Sequence, residues 1–166
     1  MPIRNIVVEG PNNVGKTTLI KMLRSLELFK DWRVEHMHEN SPNSYEFYDA
    51  SLKYGNKTIY DRHCIGEVVY PQLFNRKTDF TLHDCKNVVI ENEDTLFVFV
   101  TADYTFIKQA YDKKCEKIDW KFVINERAAF DAIYDGLRDC NNVMIFSHGE
   151  DTDNFVEFVN KLVCEV

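Results

Sequence analysis

One segment limits what this chain can become more than any other: Gly10-Pro11-Asn12-Asn13-Val14-Gly15-Lys16-Thr17. Ahead of it, Ile3–Glu9 is rich in β-branched residues and predicts a short buried strand. Behind it, Leu19, Met22, Leu23, Leu26 and Phe29 recur at helical spacing and predict a helix over Thr17–Phe29. Strand, glycine turn and helix in that order fit G-x-x-x-x-G-K-[ST] in the context its chemistry requires. The two glycines permit backbone angles and a close approach that side chains would block. Successive N–H groups can then point into one cavity and hold phosphate oxygens, helped by the positive end of the helix dipole. The candidate phosphate-binding residues are Gly10, Asn12, Asn13, Val14, Gly15, Lys16, Thr17 and Thr18. Lys16 would bridge the β- and γ-phosphates of a nucleoside triphosphate, and the Thr17 hydroxyl would hold Mg²⁺.

The rest of the chain alternates between the two kinds of element. Strands are predicted at Arg33–His38, Lys57–Tyr60, Leu96–Thr101 and Val143–Phe146. Helices are predicted at Tyr45–Tyr54, Ile65–Phe74, Leu82–Glu91, Tyr104–Cys115, Phe122–Leu137 and Asn154–Cys164. Such alternation implies βαβ crossovers. The expected fold is therefore α/β: a parallel sheet of about five strands flanked by helices. The 166 residues suit one domain spanning 1–166, with no repeat or linker inside it.

Composition removes other classes. Hydrophobic residues make up 45% of the chain, too many for a disordered protein, and no apolar run is long enough to cross a bilayer. The start lacks the features of a secretory signal. A net charge of −7 argues against a broad nucleic-acid surface. The five cysteines form no C-x-x-C pair, which predicts free thiols and a cytoplasmic, intracellular location. His36 and His38 alternate in the second predicted strand, but no Cys or carboxylate stands at ligand spacing to make a zinc site.

A phosphate loop does not by itself fix a reaction. The guanine-reading N-K-x-D occurs nowhere, and the strand Leu96–Thr101 runs instead into Ala102-Asp103-Tyr104. Motor and AAA-type ATPases usually need more chain. A small kinase is the natural fit. Two stretches carry a resemblance in that direction. Val7-Val8-Glu9-Gly10 gives an "EG" entry to the loop, and Tyr60-Asp61-Arg62-His63 is followed by Gly66-Glu67-Val68-Val69-Tyr70. Both resemble the thymidylate kinase and deoxynucleoside kinase group of small P-loop kinases, and the second is most like thymidylate-kinase-like proteins of viral type. A viral origin would place the chain in a host cytoplasm.

The resemblance implies a single P-loop kinase domain with a helical lid, using ATP and Mg²⁺. Asp61 would reach the metal as a second carboxylate, and Arg62 would clamp the transferred or acceptor phosphate with its forked guanidinium. Glu9 would take a proton from an acceptor hydroxyl; a monophosphate acceptor, already ionised, needs no base. The lid is expected at about residues 108–121, where five lysines face three acids, with Lys113, Lys114 and Lys117 as its cationic residues. Family lids usually present arginine, and here none occurs before Arg127. Cellular thymidylate kinases also carry an arginine just after the second strand. Here that stretch reads His38-Glu39-Asn40-Ser41-Pro42-Asn43. Arg76 could substitute. Of the aromatic residues able to stack on a base, Tyr70 and Phe74 lie one helix beyond Asp61-Arg62 and are the best placed.

Three functions are open at this point. The simplest is an ATP-dependent kinase of a deoxynucleotide or deoxynucleoside, typified by a thymidylate-like monophosphate. The second keeps the site but phosphorylates a hydroxyl, on a deoxynucleoside or on a 5-hydroxymethyl pyrimidine within DNA, with Glu9 as base. The third is a non-catalytic nucleotide-binding module, which would have no need of Asp61-Arg62. The expected partners are ATP and a nucleotide or nucleoside acceptor, with DNA as another acceptor and a homodimer as a further option. No membrane is expected.

Overall fold

The computed structural model describes residues 2–37, 42–114, 118–148 and 153–165. Among the described residues there are five strands: β1 Asn5–Glu9, β2 Arg33–His36, β3 Thr58–Asp61, β4 Thr95–Ala102 and β5 Val143–His148. Seven helices connect and flank them: α1 Lys16–Ser25, α2 Tyr45–Tyr54, α3 Gly66–Leu73, α4 Leu82–Glu91, α5 Tyr104–Lys114, α6 Trp120–Leu137 and α7 Asp153–Glu165. The strands form one parallel sheet in the order β2-β3-β1-β4-β5. This is the expected α/β fold.

Alternation along the central strands divides the core between the two faces of the sheet. Ile6 and Val8 of β1, with Val98 and Val100 of β4, pack toward Leu19 and Leu23 of α1 and Phe158 and Leu162 of α7. Val7, Phe97 and Phe99 point the other way, onto Leu52, Val68, Val89 and Phe130. Both faces of the sheet are thus covered, as parallel sheets require. Helix starts are set by local chemistry. Ser44 accepts the Phe47 N–H to cap α2, and Thr81 and Asp84 form a reciprocal capping box on α4.

The first helix ends sooner than the predicted Phe29. Its last turn is Ser25, and Leu26 is extended. The apolar period continues because Phe29 drops back into the core beside Trp32, their rings 5.0 Å apart and edge-on. β2 is shorter than predicted; residues 38–41 lie outside the described residues.

Chain order reverses at β1, which lies between β3 and β4. Ligands of open parallel sheets bind in the crevice at such a reversal, beyond the carboxyl ends of the strands. Register brings Val8 of β1 opposite Asp61 of β3. The loop after β1 and the Asp61-Arg62 corner after β3 therefore meet at the same rim.

Candidate active site

The loop between β1 and α1 needs both of its glycines. Gly10 has φ +145, and a Cβ there would lie 2.2 Å from the Val100 carbonyl oxygen of β4. Gly15 has φ +91, and its Cβ would meet the His148 ring at 2.6 Å. Asn13 is also left-handed, at φ 64, a conformation asparagine tolerates better than most residues. Lys16 opens α1 and is buried. Its Nζ donates to the Gly10 oxygen at 2.9 Å and the Pro11 oxygen at 2.6 Å. Burial, with Arg62 nearby, brings its ammonium down to about 7. The side chain is thus folded over its own loop, where phosphate oxygens would be better partners.

Glu9 closes β1 and is fully buried. Its Oε1 accepts the His63 N–H at 2.6 Å and the Gly66 N–H at 3.3 Å, tying β1 to the start of α3. Among the described residues, Oε2 has no hydrogen-bond partner. Burial pushes the carboxyl up, against the opposing pull of Arg62 and the two amides.

Arg62 stands in a left-handed conformation, φ 72, which costs a residue with a Cβ about 1–2 kcal/mol. Its N–H donates to the Val8 oxygen at 3.0 Å, fixing the turn. Its guanidinium donates from Nη1 to the Tyr70 hydroxyl at 2.5 Å and from Nη2 to Asn12 Oδ1 at 2.8 Å. Asp61 meets His36 Nδ1 at 3.3 Å.

Two cavities open at this rim. One, of about 540 Å³, is lined by the loop from Asn12 to Thr18 (Val14 excepted), by Lys21 and Lys114, and by Asp61. The other, of about 390 Å³, is walled by Tyr48, Tyr70 and Phe74, with His63, Glu67 and Arg76 around them. Asn12, His36 and Arg62 belong to both. The first has the cationic lining a polyphosphate needs, and the second has aromatic faces. A group held at their junction would touch Arg62 from either side.

Magnesium fits the first cavity by the chemistry of its lining. Thr17 offers a hydroxyl and Asp61 a carboxylate, the hard oxygens Mg²⁺ prefers, and both lie on its wall. Among the described residues, no three His, Cys, Asp or Glu side chains gather as a tighter metal centre.

The sequence-derived residues distribute as follows. Asn12, Asn13, Gly15, Lys16, Thr17, Thr18, Asp61 and Arg62 share the first cavity. Gly10 and Val14 shape the loop from beneath, Val14 within the core. Tyr70, Phe74 and Arg76 share the second cavity, with the Arg76 guanidinium 5.5 Å from the Phe74 ring centre. Glu9 lies behind the rim and lines neither. Of the lid lysines, Lys114 reaches the first cavity while Lys113 is exposed and not on its wall. Lys117 lies outside the described residues. Lys108 pairs with Asp112 on the surface of α5 and is not on either cavity wall.

Sequence reasoning missed Glu126. It sits on α6, fully buried, and accepts the Asn12 N–H at 3.0 Å, Asn12 Nδ2 at 2.8 Å and the Tyr70 hydroxyl at 2.8 Å. One signal was available: an acid at the helical position between Val123 and Phe130, where the buried face should be apolar. His148, whose ring stacks on Phe106 at 5.4 Å beneath Gly15, was missed as well.

No protein-family model matches the chain, and no curated protein sequence does. Solved structures do. The YorR protein of Bacillus subtilis, solved in complex with phosphorylated GDP, superposes with a TM-score of 0.74 at 16% identity, over 96% of this chain and 95% of that one. Deoxyadenosine kinase from M. mycoides with bound dCTP gives a TM-score of 0.63 at 12% identity, over 98% and 100% of the two chains. The same enzyme with bound dATP gives 0.63 at 14%, over 96% and 99%. The chain therefore shares the α/β fold of these proteins, deoxyadenosine kinase among them. The likenesses do not single out thymidylate kinases, and they lend no support to DNA as an acceptor or to a homodimer. Among the described residues, no helix is long and apolar enough to cross a membrane.

Proposed function

We propose that this chain is an ATP-dependent kinase transferring a phosphoryl group to a deoxynucleotide or deoxynucleoside, most simply a thymidylate-like monophosphate. The observation that carries the reading is the junction of a cationic and an aromatic cavity at Asn12, His36 and Arg62. Phosphoryl transfer needs positioning and charge neutralisation more than covalent help. Lys16 would leave the Gly10 and Pro11 oxygens for the β- and γ-phosphates, recovering its charge beside them. Thr17 and Asp61 would hold Mg²⁺, which neutralises charge on the phosphate tail. Arg62 would meet the moving group between the cavities. Tyr70 and Phe74, stacked with ring centres 6.1 Å apart, would receive the acceptor base, and Arg76 at the cavity edge would take an acceptor phosphate. Lys113, Lys114 and Lys117 would close over the donor. ATP as donor, the single-domain assignment over 1–166 and a cytoplasmic setting belong to this same reading.

A second acceptor is favoured by one observation. Glu9 has a carboxyl oxygen without a partner among the described residues, and burial raises its proton affinity. Both suit a base that removes a proton from a nucleoside hydroxyl, a role that requires the acceptor to reach Glu9, which lines neither cavity. The deoxyadenosine kinase likeness supports the same acceptor class.

Labelled ATP offered with separate pools of deoxynucleosides, deoxynucleoside monophosphates and hydroxymethylated DNA tests all of this. Label in the monophosphate pool supports the first acceptor, and label in the nucleoside pool the second. Label in DNA alone would overturn the free-nucleotide reading, and label in none would reduce the chain to a nucleotide-binding module.

A further inference from the structure

Four side chains from four parts of the chain close a ring at the junction of the cavities. Arg62 donates to Asn12 Oδ1 and to the Tyr70 hydroxyl; Asn12 Nδ2 and the Tyr70 hydroxyl both donate to Glu126 Oε1. Glu126 also holds the Asn12 main-chain N–H through Oε2. Asn12 belongs to the phosphate loop, Tyr70 to the aromatic cavity, and Glu126 to neither. It lies on α6, between Val123 on one face of the core and Phe130 on the other. Among the described residues, no cationic side chain donates a hydrogen bond to it. Its hydrogen-bond donors, Asn12 and Tyr70, both link it to Arg62, whose charge it also feels directly, as it does that of Lys16.

Such an arrangement resists being opened anywhere. A buried carboxylate that loses a donor is left partly unsatisfied, which is costly. A triphosphate in the first cavity competes for the Asn12 amide and for Arg62. A ligand between Tyr70 and Arg62 competes for the other side of the same ring. Whichever arrives first bears the cost of opening it, and the second meets a ring already open. That is a coupling free energy between two sites, and it acts in both directions.

We propose that Glu126 is a positioning residue that couples donor and acceptor binding, so that each ligand tightens the other through the Arg62–Asn12–Glu126–Tyr70 ring. The proposal rests on the kinase reading above, because it takes the aromatic cavity to be the acceptor site. Coupling between sites is typically about 5- to 150-fold.

The test titrates the full chain with the β,γ-imido analogue of ATP and Mg²⁺, alone and with saturating dTMP or deoxyadenosine. The wild-type chain should bind the analogue at least about 5-fold more tightly when either probe is present. Glu126→Gln keeps the size of the side chain but replaces an accepting oxygen with a donating amide. It should bind each ligand alone and show a coupling factor near one. Tyr70→Phe opens the ring elsewhere, should lose the coupling in the same way, and carries the test if Glu126→Gln does not fold. A purely structural role would lower the melting temperature and leave the factor intact; that result, or a wild-type chain without coupling, overturns the proposal. Failure of every probe to bind the wild-type chain would overturn the kinase reading itself, and the coupling with it.

Discussion

The phosphate-loop cavity and the aromatic cavity are built in different ways. Most of the phosphate-loop cavity's wall comes from one stretch, Asn12 to Lys21, where a strand hands over to a helix. The aromatic cavity's wall draws on the same loop at Asn12, on His36 at the end of β2 and Met37 after it, on Tyr48 of α2, on Arg62 and His63, and on α3 and Arg76 beyond it. In the first, covalent spacing guarantees that amides, ammonium and hydroxyl converge. In the second, convergence depends on sheet order: β3 must lie beside β1 before Arg62 can reach Asn12. A contiguous site tolerates change around it, whereas a discontinuous one depends on its supports. The left-handed Arg62, held by the Val8 oxygen, Asn12 and Tyr70, is the point where that dependence is concentrated.

The largest effect should come from the contiguous side. Lys16→Ala removes the one ammonium the loop buries. Transfer from labelled ATP should fall below detection. The fold should not suffer, because burial already disfavours that charge in the folded chain. A thermal melt unchanged or raised beside absent activity would fit. An active variant would take the loop out of the mechanism and erase the contrast between the cavities.

The next effect sharpens the acceptor side. Glu9→Gln retains an oxygen able to accept the His63 and Gly66 amides, so the corner between β1 and α3 should survive. If the acceptor is a hydroxyl, turnover should fall by about 10²–10⁴-fold, the usual worth of a general base. If the acceptor is a monophosphate, turnover should stay near the wild-type rate. Steady-state rates with each acceptor class, beside a melt of the variant, separate these outcomes.

The same contrast explains what could be read without a structure. The alternation of elements fixed the sheet, and α2 and α4 were legible to the residue, α2 because Ser44 and Gly55 mark its ends in the sequence itself. The phosphate loop was legible because its chemistry sits at consecutive positions. The Asp61-Arg62 corner was legible through resemblance, although its backbone conformation was not. Glu126 was hidden because its partners, Asn12 and Tyr70, are 114 and 56 positions away. The amphipathic pattern shows an acid on the buried face between Val123 and Phe130, but not which distant loop it satisfies. The helix end at Ser25 was hidden for the opposite reason: Phe29 keeps the helical period while packing from a turn.

The smallest expected effect is the dependence of donor binding on pH, and it probes the loop alone. In the ligand-free chain, Lys16 is held down at about 7 by burial first and by Arg62 second. Phosphate oxygens in place of the Gly10 and Pro11 carbonyls would raise it toward the ordinary lysine value of 10.5. Between those two values the nucleotide-bound chain holds a proton that the free chain lacks. Linkage then requires affinity to be greatest below about 7 and to fall as pH rises through the window, by at most about tenfold per unit. Calorimetry of the imido analogue with Mg²⁺, in two buffers of different ionisation enthalpy, should show uptake of close to one proton at about pH 8.5, where the free ammonium would be mostly neutral. Lys16→Ala, to whatever extent it still binds, should show no such uptake. Equal uptake in both proteins would assign the proton to another group and leave Lys16 charged at rest, its ammonium already set for the phosphates before the nucleotide enters.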